Sequence, residues 1–297
     1  VAVVGCAENR EPPARGLEAK DEPAWRAQLA RDRADKDHQL AVSPESALAA
    51  SDRFTPVHAA FLRLEGDKLQ LDDAEAPTSL IAFEPTDATA QRWTWRPLAA
   101  AMTNGKPPPG PTPITRPMRV QVSPRFAVAA QLVGGSLVIN GFDRQRKELA
   151  EFKQLSYFEP DPKFVVSAKL ERFEHPTPID LATSRGLKKP YVRYGFLRFE
   201  LDGTPCVLTA FRPAGSPGPD LFVPFRDATS GKTTYGAARF LDLEEPADKA
   251  ARLTIDFNQA YNPYCAYSDA YNCPMPPPEN QLTVAVTAGE KAFGAHH

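Results

Sequence analysis

Over most of the chain hydrophobic and polar positions alternate with a period of two, and only near the amino end does the period lengthen to that of a helix. There Trp25 and Leu29 stand four apart behind Asp21 and Pro23, an N-cap candidate and a first-turn proline, which predicts a short helix to about His38. Ser43-Pro44-Glu45 carries a second helix-start signature. Beyond it, Phe61-Leu62-Arg63-Leu64 and Lys68-Leu69-Gln70-Leu71 flank Glu65-Gly66-Asp67 and predict a hairpin, because glycine supplies the turn between alternating runs. Residues 92–98 form a candidate strand with Trp93 and Trp95 on one face, either as core or as a platform for a sugar. Further strands are expected at 118–122, 126–132, 136–140, 164–170, 191–201, 206–211, 221–225 and 233–241. Gly134-Gly135 and Thr229-Ser230-Gly231-Lys232 supply turns, and residues 144–152 a helical turn or two. Many short strands without a βαβ rhythm predict a mainly β chain, an antiparallel sandwich or barrel with short N-terminal helices.

Composition sharpens this picture in three places. The 31 prolines oppose long helices and favour short strands and irregular loops. The run from Lys106 through Pro117 is an extended spacer, either a sub-domain boundary or a long surface crossing. A net charge of −2 leaves no basic footprint, so nucleic acid is not an expected partner. No run reaches the roughly 20 apolar residues that span a bilayer. Val3-Val4-Gly5-Cys6 instead has the form of a bacterial lipoprotein cleavage site, with the polar, proline-broken run after Cys6 as a tether; the alternative is a buried strand carrying a thiol. The expected organisation is a signal-peptide remnant (1–5), a tether lipid-anchored at Cys6 (6–22), an N-terminal β-rich region (23–150) and a C-terminal β domain (151–297). The protein is then expected to be exported, touching the membrane only through its anchor at the extracytoplasmic face of the envelope.

Candidate chemistry gathers in the last quarter. Alternation in 253–258 puts Leu253, Ile255 and Phe257 on one face and Thr254, Asp256 and Asn258 on the other. Arg226, Asp227, Tyr235 and Arg239 come from the preceding hairpin, Asn262 from the loop after the strand, and Glu279 and Asn280 from just beyond a proline run. If neighbouring strands pair, these residues converge on a site for a polar or anionic small molecule held by charge-assisted hydrogen bonds. The same residues also suit a buried network that pins loops, or an oxygen-ligand cation site on Asp256, Asn258 and Glu279. Ser230-Gly231-Lys232-Thr233 is not a phosphate loop, since Arg226 stands where the first glycine belongs. No cofactor fingerprint is present. His38, His58 and His175 all lie outside residues 221–291, so a Ser/His/Asp triad or a histidine-rich zinc site cannot be assembled from the residues of that stretch alone. Cys265 and Cys273 are candidates for a disulfide, with a two-cysteine metal site or reduced structural thiols as alternatives, and Cys206 is expected free in its strand.

FRDATSGKTTYGAARFL followed by DFNQAYNPYCAYSDAYNCPMPPPENQLTVAVTAGEK closely resembles the signature of domain-of-unknown-function family 1684, specifically over 221–291 and more loosely back to about Phe152. Ala238 stands where that family tends to have glycine, and Tyr264 where it has a second proline. The resemblance implies a shared fold and a shared site and supplies no reaction. The expected function is a cell-envelope protein that binds a polar or anionic small molecule in a C-terminal pocket. A carboxylate-dependent hydrolase and a purely structural envelope protein are the alternatives.

Overall fold

The computed structural model describes residues 16–98, 110–214, 220–246 and 252–294, so Cys6 and the tether before Gly16 lie outside the described residues. The chain is mainly β, and every pairing between its strands is antiparallel. It divides into two compact units, one made of Val1–Arg33, Leu155–Pro263 and Cys273–His297, the other of Ala34–Gln154 and Tyr264–Asn272.

Helix α1, Glu22–Val42, begins where Asp21 O accepts the Trp25 amide at 3.0 Å and runs one turn past the expected end. No second helix forms at Ser43. Pro44 has no amide to continue the ladder, and Ser43 Oγ instead takes the Glu45 amide at 3.2 Å in a local turn.

The second unit is built from two sheets. Strands β2 (Ala60–Glu65), β3 (Lys68–Asp72), β4 (Ser79–Pro85), β5 (Trp93–Pro97) and β6 (Thr112–Pro113) form one, in the order β3-β2-β4-β5-β6. Strands β1 (Ala50–Phe54), β7 (Met118–Gln121), β8 (Phe126–Val133) and β9 (Ser136–Asp143) form the other, in the order β1-β9-β8-β7. Leu62, Ile81, Phe83 and Trp93 from the first pack with Phe126, Val128, Leu137 and Ile139 from the second in one core. Trp93 is therefore core, and its indole N–H is already given to Ala90 O at 2.7 Å. The carboxy end of the proline spacer is not a boundary, since Thr112–Pro113 pairs with β5. Helix α2, Lys147–Ala150, is the expected helical turn.

The first unit holds a six-stranded sheet in the order β14-β13-β12-β11-β10-β15, from β10 (Val165–Ala182), β11 (Lys188–Leu201), β12 (Thr204–Pro213), β13 (Asp220–Phe225), β14 (Arg239–Glu244) and β15 (Leu253–Asp256). Just after β15, Tyr261 exchanges backbone hydrogen bonds of 2.9 and 3.0 Å with Phe240 of β14, so the sheet curls nearly into a closed barrel. Its interior is filled by alternate residues: Val166, Ala168 and Leu170 of β10; Leu197, Phe199 and Leu201 of β11; Cys206, Leu208 and Ala210 of β12; Leu221, Val223 and Phe225 of β13. Two expectations fail here for local reasons. The strand returning from 225 starts at Arg239, not at Thr233, because Thr229 O gathers the amides of Lys232, Thr233 and Thr234 and the chain stays looped. Asn258 lies past β15, where Asp256 caps a single 3-10 turn, Phe257–Gln259, by accepting the Asn258 amide.

No disulfide joins Cys265 and Cys273, both of which stand as thiols. Each is fixed by its own surroundings: Cys273 exchanges backbone and side-chain hydrogen bonds with Ser184, and Cys265 sits in the 3-10 turn Tyr264–Ala266. Cys206 is buried in β12, and burial pushes its thiol up.

Candidate functional site

The residues singled out in the sequence separate into four groups. The first is a closed ion pair at one end of the barrel interior. Arg239 is 1 % exposed, and its Nη2 meets Asp227 Oδ2 at 2.5 Å and Val286 O at 2.8 Å, while Nη1 donates to Ala288 O. The other Asp227 oxygen accepts the Thr229 amide at 2.6 Å and its hydroxyl at 2.5 Å, and Thr229 Oγ1 lies 2.8 Å from Thr234 Oγ1. Burial pulls the Arg239 guanidinium below its ordinary value, against the charge and hydrogen bond of Asp227. Both oxygens of Asp227 and both terminal nitrogens of Arg239 have partners. Such a set braces the loop 226–238 and the segment 286–288 and leaves no group for a ligand.

The second group is centred on Asp256. Its Oδ1 accepts the Asn258 amide and side-chain nitrogen, each at 2.9 Å, and its Oδ2 accepts Trp25 Nε1 at 2.7 Å. Asn258 in turn bonds the backbone of Asp161 twice, at 2.9 and 3.0 Å. Arg33 donates to Phe158 O at 3.1 Å and lies over the Tyr157 ring at 4.4 Å. Burial lowers the Arg33 guanidinium, against the charges of Tyr157, Glu159, Asp256 and Glu290. These bonds tie the first half of α1 and the loop at 157–161 to the end of β15.

The third group is stitching. Asn280, wholly buried, accepts the Thr209 amide at 2.7 Å and donates to Thr209 O at 2.9 Å and Pro224 O at 2.7 Å. Pro224 offers β13 no N–H, and the Asn280 amide fills that gap between β12 and β13. Asn262 gives its amide to Glu290 Oε2 at 2.8 Å and its side-chain nitrogen to Lys291 O at 2.7 Å.

The fourth group faces outward. Glu279 pairs with Arg193 at 3.1 Å, and both side chains are more than a third exposed. The Arg226 side chain is exposed while its backbone pairs with Asn280 and Leu282. Tyr235 is half-buried in the loop before β14. The cation set of Asp256, Asn258 and Glu279 is not assembled, because Glu279 belongs to Arg193 instead.

A different constellation, absent from the sequence reading, occupies the other end of the barrel interior. Arg172 follows Leu170 on the inner face of β10, Arg212 follows Ala210 on β12, and Glu245 follows Leu243 just past β14. Both arginines donate to the Glu245 carboxylate, Arg172 Nε to Oε1 and Arg212 Nη2 to Oε2. The Tyr194 hydroxyl lies 2.9 and 2.8 Å from the same two oxygens and donates between them. The Arg212 guanidinium sits over the Tyr194 ring at 4.0 Å. Strict alternation would turn Tyr194 outward, since Gly195, Leu197 and Phe199 point in. Two irregularities reverse it: β10 passes four residues, 173–176, between its pairings with Gly195 and Arg193, and β12 pairs Phe211 and Ala210 with those same two residues, leaving Tyr194 extra. Glycine at 195 lets β10 come this close, because a Cβ there would meet Glu171 O at 2.6 Å.

The electrostatics differ from those of the Arg239 pair. Burial acts to raise the Glu245 carboxyl, but hydrogen bonds from Arg172 and Tyr194 and the charges of Arg172 and Arg212 outweigh it and hold it below the ordinary range. Burial and the Glu245 hydrogen bond raise the Tyr194 hydroxyl. The side chains of Arg172, Arg212 and Glu245 are 18, 21 and 12 % exposed, so solvent reaches all three. Arg212 Nε is buried and has no hydrogen-bond partner among the described residues. The second unit has a cleft of about 540 Å³, lined by Thr86, Arg92, Trp93, Ile114, Arg116 and Leu132, but its walls are mainly apolar and Arg92 is 85 % exposed, so polar groups do not converge there.

Comparison with known proteins gives no activity. The model of the family described as "Protein of unknown function (DUF1684)" matches residues 150–291. A solution NMR structure of an uncharacterized protein from Haloarcula marismortui is 44 % identical, covering 50 % of this chain and 80 % of that one, with a TM-score of 0.43. No curated protein matches the chain.

Proposed function

This chain belongs, through residues 150–291, to the DUF1684 family of unknown function, and on that premise we propose that its C-terminal barrel binds a small anionic molecule at the end lined by Arg172, Tyr194 and Arg212. The observation that carries the reading is the convergence of two guanidinium groups and a phenol, from three adjacent strands, on a solvent-reached point just above the apolar core. Two guanidinium groups face the Glu245 carboxylate there, and Arg212 Nε is a further buried donor with no hydrogen-bond partner among the described residues. The Arg239–Asp227 pair, in contrast, is neutral and saturated. A hydrolase that protonates its leaving group through a carboxylic acid needs a carboxyl raised above its ordinary range, and Glu245 is held the other way.

Thermal-shift and calorimetric titration with a panel of small carboxylates and phosphorylated metabolites tests the proposal. Saturable stabilisation is expected, about 2.7 kcal/mol at a ligand concentration 100 times its Kd, weakening with salt and falling tenfold or more in Arg212→Gln. A flat response from the wild-type protein, or an identical one from Arg212→Gln, overturns it. We also propose that the protein is exported and acylated at Cys6, on the strength of Val3-Val4-Gly5-Cys6 and the polar run after it. Mass spectrometry of protein from its native host is expected to find a lipid-modified Cys6 as the first residue, and an unmodified residue upstream of it sinks that assignment.

A further inference from the structure

Resting on that reading, we propose that the ligand is a carboxylate, and that it enters by taking the place of the Glu245 side chain, which fills the site as an internal substitute. The argument starts from the shape of what is bound. Glu245 presents two coplanar oxygens, and the donors are divided between them: Arg172 on Oε1, Arg212 on Oε2, and the Tyr194 hydroxyl between the two. That is a cradle for one planar two-oxygen acceptor. The residues next inward on the same strands, Leu170, Ala210 and Leu243, are apolar and supply no donors for the further oxygens of a tetrahedral phosphate.

The tether of the substitute is the second step. Glu244 is the last residue of β14 to pair with β13, opposite Asp220, so Glu245 is the first residue beyond the ladder. Its side chain can leave without breaking a strand hydrogen bond. Arg172 and Arg212, by comparison, are paired with β11 through Gly195 and Val192, and Tyr194 is the bulged residue between the paired Arg193 and Gly195, so all three donors sit within strands. The cradle is thus fixed and its occupant is exchangeable. Arg212 Nε, buried and without a partner among the described residues, offers one more donor to an incoming carboxylate that carries a second acceptor.

The test removes the internal carboxylate and supplies an external one. In Glu245→Ala, sodium acetate or propionate is expected to raise the melting temperature saturably, with a half-maximal concentration at least tenfold below that of phosphate or chloride at equal ionic strength. The wild-type protein is expected to respond far less to the same acetate, and Glu245→Ala/Arg212→Gln not at all. Glu245→Gln, which keeps the side-chain volume and an acceptor oxygen, serves as the folding control and is expected to ignore acetate. If Glu245→Ala takes phosphate or chloride as well as acetate, the carboxylate class is wrong while an anion site remains; if it takes no anion, both the class and the site fall.

Discussion

The two ends of one barrel interior each hold an arginine–carboxylate pairing, and they differ in where the remaining hydrogen bonds go. Arg239 opens β14 and Glu245 lies just past its end, six residues on, or about 20 Å at the rise of a strand. At the Arg239 end the leftover donors and acceptors are taken by the backbone: Val286 O, Ala288 O and the Thr229 amide. At the Glu245 end the donors are side chains on strands, and the acceptor they share comes from outside the ladder. A charged pair answered by backbone is part of the framework, because moving it would unmake loops. Strand-held donors converging on a side chain that lies outside the ladder describe a place where something else can sit. Burial alone does not separate the two; accounting for partners does.

The largest expected effect comes from breaking the closed end. Arg239→Met leaves the Asp227 carboxylate buried without its counter-ion and is expected to cost about 3–5 kcal/mol. Arg212→Met leaves Glu245 with Arg172 and Tyr194 and within reach of water, and is expected to cost about 1 kcal/mol or less. Equilibrium urea unfolding of the two variants measures the contrast directly. Equal losses would mean that both ends are framework, and a larger loss for Arg212→Met would invert the assignment.

A smaller effect comes from protonating the open end. The folded-state value of the Glu245 carboxyl is depressed, so the unfolded chain binds the proton first as pH falls. The stability contributed by this group is therefore complete above the ordinary carboxylate range, about 4.3, and is lost as pH falls through the lower, folded value. Melting temperatures of wild type and Glu245→Gln between neutral pH and about pH 3 should show an advantage for wild type at the top of the range that shrinks toward the bottom. An advantage that grows on acidification would contradict the direction of the shift and with it the arginine clamp.

Much of this was legible in the sequence, and what was not has specific causes. Alternation and glycine turns placed the hairpin β2–β3, strands β8 to β13 and the core faces of Leu253, Ile255 and Phe257, because one buried face enforces a period of two. The loop after β13 was read as a shorter hairpin because polar residues at 226–238 satisfy one another in a way that residue type alone does not announce. The polar residues of the carboxy-terminal stretch stood out by density, yet most of them are braces: proline-rich loops lack amide donors, and side chains such as Asn280 take over the pairing. The open cradle left a fainter trace. Arg172, Arg212 and Glu245 each extend the inward parity of an apolar strand by one step, and a charged residue at an inward position is the signal that could have found them. Tyr194 had no such signal, since only the bulges of β10 and β12 against β11 turn it inward.

The smallest expected effect concerns Glu279, which sequence grouped with Asp256 and which the fold carries elsewhere. It lies in the 3-10 turn Pro278–Asn280, its side chain 39 % exposed, and its partner Arg193 also rests on the Phe173 and Phe196 rings at 5.3 and 5.5 Å. When Glu279 is removed, Arg193 keeps its aromatic seat and gains water in place of a carboxylate, so little is lost. Glu279→Ala is expected to change stability by about 0.5 kcal/mol or less, as exposed pairs do, and to leave the anion response of the barrel unchanged. The side chain next to it, Asn280, is fully enclosed, so the measurement also shows how sharply brace and surface are divided along this turn. A Glu279→Ala variant that folds normally but no longer responds to small anions would move the binding site away from the Arg172–Arg212 end, and the contrast between the two ends would then say nothing about ligand binding.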